Sequence, residues 1–220
     1  ITGLTMEAQM LTLHPLYSEA MVSLCRSPGL GYRLPVTTHS VQQVSVPAGN
    51  GQKVIAVPQA VNNLRQVSFI VQDTADLIDY TKDKTRFPIY SYVEAFIQVG
   101  SVRLPENPAT GAARAYACTV DADNQLGSVV SAPIIDLENF CGVTTTGSLA
   151  RDSDSDAFIW SVSCDKVKDT YLPMDGLSGT SLGGQIVITL NNSMSNPGTL
   201  TCVSETVRFL SLVEGRVEVV

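Results

Sequence analysis

Charge and aromatic rings are both scarce in this chain. Asp, Glu, Lys and Arg make up 16% of its 220 residues, and Phe, Trp and Tyr only 6%. The 14 basic residues form no run, and the formal net charge is −7. Phosphate contacts need clustered Lys and Arg, so this composition argues against a nucleic-acid-binding face. Few aromatics also weigh against a carbohydrate-binding or adhesion module, which usually exposes several rings on one face. The five cysteines, Cys25, Cys118, Cys141, Cys164 and Cys202, are odd in number and contain no C-x-x-C pair. That spacing fits neither a zinc site nor a disulfide framework, and free thiols of an intracellular assembly site are the expectation. No run of about 18 apolar residues is present, so no membrane span is expected. No signal peptide, internal repeat or low-complexity tract is visible in this sequence. The glycines include no G-x-G-x-x-G joining a strand to a helix, so no phosphate cradle is expected.

What remains is a β-rich pattern. Apolar residues account for 44% of the chain, and so little charge predicts a surface packed against partners. The length suits one large β-type domain or two small ones, with a core that needs no disulfide. The start at Ile1 is read as a processed product or a piece of something longer. Val67, Phe69 and Val71 share one face of a period-two run from Leu64, and Ala95, Ile97 and Val99 share one face of a second run over residues 92–105. A polar loop with Asp73, Asp76, Asp79, Lys82, Asp83, Lys84 and Arg86 separates them. Val36–Val46, a Pro47–Gly51 turn cluster and Lys53–Val57 read as a hairpin. Phe158, Trp160, Val162 and Cys164 alternate along a later strand, with Trp160 in the core. Ile186, Ile188 and Leu190 mark the next strand, and Thr199–Val213 and Val217–Val220 close the series. Short helices are expected at Leu16–Arg26 and over Ala109–Ala122. Gly142–Asp156 reads as a surface loop, and Asn107-Pro108 and Pro173 as loop punctuation. The resulting fold class is all-β: an eight-stranded antiparallel jelly-roll sandwich with one or two short inserted helices.

Several motifs invite chemistry. Gly179-Thr180-Ser181-Leu182-Gly183 matches G-x-S-x-G. Both histidines, His14 and His39, precede the serine, and a strand follows it, so the α/β-hydrolase order fails. A chymotrypsin-like order survives with His39, an aspartate such as Asp79, and Ser181. Leu182, however, occupies the place of the glycine expected after the serine. Asp152, Asp154 and Asp156 form D-x-D-x-D, but Ala157 and Ser163 stand where a calcium loop of the EF-hand type needs glycine and glutamate. A solvated acidic loop is the simpler reading, with a divalent ion there left open. Asn191-Asn192-Ser193 is a glycosylation pattern and is expected to cap a strand end. No catalytic, cofactor or metal residue is assigned.

The succession as a whole resembles the C-terminal jelly roll of the double jelly-roll major capsid proteins of the adenovirus lineage, polintons and virophages. The strand Leu64–Val71 leads into a polar loop, and Ala95–Ser101 into Leu104-Pro105-Glu106-Asn107-Pro108. A helical insertion similar to Ala112–Ala122 follows. Met174-Asp175-Gly176-Leu177, the strand from Gln185 to Asn191, the Asn196-Pro197 turn, and the runs Val203–Leu212 and Val217–Val220 continue the likeness. It covers residues 64–220 well and residues 1–63 loosely, and only one barrel fits the length. The resemblance implies a structural subunit of a double-stranded DNA virus, with no enzymatic site. It implies homotrimeric capsomers that pack with neighbouring capsomers and with minor capsid or penton proteins into an icosahedral shell, assembled inside the host cell. Residues 1–220 would form a single jelly-roll domain, either a fragment or processed half of a larger capsid protein or a single jelly-roll capsid protein, with residues 1–30 as an inter-barrel linker and helix. The loops 73–86 and 142–156 would face outward or contact other subunits.

Overall fold

The computed structural model describes residues 14–26, 32–59, 63–85, 87–122, 140–141, 157–165, 176–177, 185–213 and 216–219. In chain order the elements are α1 (Pro15–Arg26), β1 (Tyr32–Val46), β2 (Gly49–Val57), β3 (Leu64–Asp73), α2 (Thr74–Ile78), β4 (Glu94–Val99), β5 (Val102–Thr110), α3 (Ala112–Ala122), β6 (Trp160–Ser163), β7 (Ile186–Met194), β8 (Gly198–Val213) and β9 (Arg216–Val219). The chain divides into two compact units, one of Thr37–Val207 and one of Ile1–Val36 with Arg208–Val220. The smaller unit holds α1 and the antiparallel pairing of Leu210–Val213 with Arg216–Val219.

The larger unit contains two sheets, ordered β1-β8-β3-β6 and β2-β7-β4-β5. This order is what a long antiparallel hairpin gives when rolled up. Strands 1 and 8, 2 and 7, 3 and 6, and 4 and 5 are partners in the hairpin. Rolling then adds β8 beside β3 and β7 beside β4. It is a jelly roll, as the strand pattern predicts.

Period-two alternation places the core where the sequence puts it. Val67, Phe69 and Val71 of β3 and Ala95, Ile97 and Val99 of β4 are all buried. In the first sheet Phe69 lies between Trp160 and Cys202, with its ring centroid 5.0 Å from that of Trp160. In the second, Ile188 lies between Ile55 and Ile97. Each large side chain buried in this way contributes about 1.5–3 kcal/mol, which makes the layer between the sheets the main source of stability.

Several connections differ from the sequence reading. Val36–Val57 is not a paired hairpin: β1 pairs with β8, and β2 with β7, so the strands belong to opposite sheets. The turn cluster marks where the chain changes direction, but pairing is decided by partners far along the chain. The run over 92–105 is two strands, β4 and β5, joined at Gly100-Ser101 with Val99 opposite Val102. Gly100 takes φ 58°, a conformation that suits glycine in such a tight turn. Pro105 and Asn107-Pro108 are part of β5 rather than loop punctuation. The strand tolerates them because it is the sheet's edge and the register jumps there: Ile97 opposes Leu104, whereas Ala95 opposes Ala109. Ala109 therefore lies in β5, which runs to Thr110, and α3 starts after Gly111, which takes φ 79°. Asn191-Asn192-Ser193 runs inside β7 instead of capping it. The expected loop 142–156 lies outside the described residues.

α3 closes one edge of the first sheet. Ala115, Thr119 and Ala122 are its buried residues. The Thr119 hydroxyl accepts from Ser161 N at 3.1 Å. It shares its own proton between Ile159 O at 2.9 Å and Ala115 O at 3.0 Å. A helix side chain thus satisfies backbone groups that edge strand β6 would otherwise leave open.

Candidate interaction surface

Two of the residues considered for serine-protease chemistry, His39 and Asp79, have other neighbours. His39 is exposed on β1, with Nε2 3.6 Å from a Glu205 carboxylate oxygen. Asp79 Oδ1 accepts from Thr81 N at 2.9 Å and Thr81 Oγ1 at 2.7 Å. The backbone hydrogen bond from Thr81, followed by the one from its hydroxyl, holds the Asp79 carboxyl below its ordinary value. Ser181, Asp152, Asp154 and Asp156 lie outside the described residues. His14 is exposed just before α1, where Nδ1 accepts from Leu16 N at 3.4 Å. Among the described residues no group of three His, Cys, Asp or Glu side chains is placed to hold a metal ion. Burial pushes the Cys164 and Cys202 thiols up to about 12. They stay protonated at neutral pH, which suits core packing rather than nucleophilic or ligand chemistry.

The connection between β3 and β4 is held in place by a set of hydrogen bonds. Asp73 closes β3, and its Oδ1 accepts from Ala75 N at 2.8 Å, capping α2. Its Oδ2 accepts from Asn196 Nδ2 at 2.8 Å, and its backbone N donates to the Tyr90 hydroxyl at 2.8 Å. Thr74 N donates to Pro197 O at 3.1 Å. Five residues of helix thus start from a point fixed to the β7–β8 corner. At that corner Gly198 is required, because a Cβ there would lie 2.9 Å from Gln72 O.

Beyond α2 the chain repeats a small motif, Asp79-Tyr80-Thr81 and Asp83-Lys84-Thr85. In the second copy Asp83 Oδ1 accepts from Thr85 N at 2.9 Å and Thr85 Oγ1 at 2.7 Å. Each aspartate closes a turn on its own backbone. Gln72 Nε2 ties the segment back through Lys84 O at 3.0 Å. A cavity of about 230 Å³ lies beneath, lined in part by Leu77, Lys82 and Tyr90. Tyr90 and Ser91 both take φ 48°, a left-handed conformation that persists only where surrounding bonds fix it. Burial raises the Tyr90 hydroxyl above its ordinary value, so it remains a proton donor and acceptor at neutral pH.

These anchors hold Ile78 and Tyr80 in the open, 78% and 92% exposed. A large apolar side chain and a tyrosine on a pre-ordered loop are the residue types that anchor protein contacts at low entropic cost. Composition marks the segment as a polar loop. It does not show α2 or the two Asp-x-Thr turns, although the Asp-x-Thr repeat is a readable signal.

No family model matches the chain, and no curated protein matches it. Its likeness to solved structures is one of shape. A quasi-atomic model of the PBCV-1 virus capsid superposes with a TM-score of 0.50 at 7% identity, covering 86% of this chain and 51% of that one. For the Faustovirus major capsid protein the TM-score is 0.49 at 9% identity, covering 90% of this chain and 36% of that one. For the Sputnik virophage structure it is 0.48 at 12% identity, covering 86% and 39%. The chain spans about half the length of the PBCV-1 capsid chain it matches. The strand order and the PBCV-1 likeness together establish its fold as a jelly roll of the kind built into that virus capsid.

Proposed function

We propose that the chain is a jelly-roll portion of a viral major capsid protein and acts structurally, without catalysis. The observation that carries this reading is the fold likeness to the PBCV-1 virus capsid over 86% of the chain. The anchored loop bearing Ile78 and Tyr80 supports it, as does a composition poor in charge. On this reading residues 1–220 are one jelly-roll domain of a longer protein, with residues 1–30 leading in from its other part. Three copies form a capsomer, and capsomers pack with one another and with minor capsid or penton proteins into an icosahedral shell. The chain resides in the virion. With a net charge of −7 it contacts protein rather than genome.

Electron microscopy of the native material, with native mass measurement of the complete protein, tests this directly. Trimers and icosahedral particles containing the protein are expected. A protein that stays monomeric at high concentration and never co-purifies with particles overturns the reading. So does labelling of Ser181 by a serine-directed fluorophosphonate probe.

A further inference from the structure

The two sheets end in four edge strands, β1 and β6 in one and β2 and β5 in the other. An open edge offers unpaired N–H and C=O groups to any passing strand, and folded proteins usually block it. Three of the four edges are blocked here by different means. β6 is closed by Thr119 of α3. β5 carries Pro105 and Pro108 and a jump in register. β2 points the charged Lys53 inward and takes φ +119° and +111° at Gly49 and Gly51. Within the larger unit β1 runs through Thr37–Val46 with no proline, no glycine, and no Asp, Glu, Lys or Arg. Among the described residues its outer side has no partner strand.

We propose that Thr37–Val46 is a strand-pairing edge, and that its partner is the same edge of a second copy, running antiparallel. This rests on the self-assembly reading above and names one surface that performs it. A second copy is chosen because this edge carries no Asp, Glu, Lys or Arg, so pairing it with itself sets no like charges opposite, even though two copies of a chain with net charge −7 repel overall. Symmetry supplies the register. Directly opposed residues in an antiparallel pair share a face, and a two-fold axis through the pair keeps inner residues with inner ones. With Gln42 on the axis, Val41 opposes Gln43 of the second copy. Both side chains are on the outer, exposed face, and Val41, 57% exposed in the single chain, gains cover.

A charge-swap experiment on the complete protein tests this. Val41→Lys/Gln43→Lys sets lysine opposite lysine, and association measured by sedimentation should weaken roughly tenfold. Val41→Glu/Gln43→Glu should weaken it similarly, and an equimolar mixture of the two variants should restore it. Recovery on mixing also shows that both variants are folded. Association of either variant alone at the wild-type level overturns the proposal. Weakened association that mixing fails to restore overturns it too, as expected if the edge receives another protein. If the wild type itself never associates, the self-assembly reading falls and this proposal with it.

Discussion

Lys53 points into the sandwich from an edge strand and is only 8% exposed. Its ammonium meets three oxygens: Gly49 O at 2.9 Å, Asn192 O at 3.2 Å and Asn192 Oδ1 at 2.5 Å. Three donors thus find three acceptors, although no carboxylate is among them. Removing the amine leaves the carbonyl oxygens of Asn192, itself 3% exposed, without this donor. Lys53→Met is therefore expected to cost about 1–3 kcal/mol of stability in urea unfolding. Lys53→Met/Asn192→Leu should recover only part of that, because it removes the Asn192 Oδ1 acceptor while the backbone oxygens of Gly49 and Asn192 still lack the lysine donor. The pH dependence has a definite sign. Burial lowers the Lys53 pKa below the ordinary lysine value. Between the lowered and ordinary values the unfolded chain holds a proton that the folded chain has released. Stability therefore rises with pH across that window. The wild-type advantage over Lys53→Met should widen as pH is raised towards the ordinary value, and a narrowing gap would contradict the assignment. None of this is legible along the chain. A lysine between Gln52 and Val54 reads as solvent-facing, and its acceptor Asn192 lies 139 residues away.

At the scale of elements, Thr119 shows what one hydroxyl does for a sheet edge. Thr119→Val keeps the shape but leaves Ser161 N, on a buried residue, without its acceptor. A loss of about 1–3 kcal/mol is expected, together with faster amide exchange in β6. Thr119→Ser keeps the hydroxyl and should cost less, and equal losses for the two variants would argue against the bond. The elements themselves were largely written in the sequence. Val67, Phe69 and Val71, and later Ile186, Ile188 and Leu190, alternate strictly because each strand has one wet and one dry face. What alternation omits is the neighbour. It makes Val46 and Val57 core residues without showing that β1 and β2 belong to different sheets. α2, at five residues, is too short to show a helical period. The proline pair in β5 misleads for a related reason: proline breaks an internal ladder, whereas an edge strand with a register jump can accept it. Of the residues considered for a protease, His39 lies beside Glu205 and Asp79 bonds Thr81, whereas Ser181 lies outside the described residues.

For the whole molecule, the balance of charge sets how assembly should respond to salt. The chain carries 21 acidic and 14 basic residues. Copies approaching one another meet net repulsion, while the candidate contacts, Ile78, Tyr80 and the Thr37–Val46 edge, are uncharged. Added salt shortens the Debye length from about 30 Å at 0.01 M to about 10 Å at 0.1 M. It weakens the repulsion and leaves apolar burial and backbone pairing in place. Association should therefore strengthen as sodium chloride is raised over that range, seen as a lower protein concentration at half-assembly in sedimentation. A shell held mainly by complementary charged patches would respond in the opposite direction, because screening removes their attraction. Binding to double-stranded DNA provides the control. A protein that neutralises phosphates binds best at low salt and loses affinity steeply as salt rises. With a net charge of −7 and no run of basic residues, this chain should give no mobility shift with DNA even at the lowest salt. Salt-sensitive DNA retention, or assembly that weakens on screening, would show that the few charges of this chain, rather than its neutral surfaces, direct its contacts.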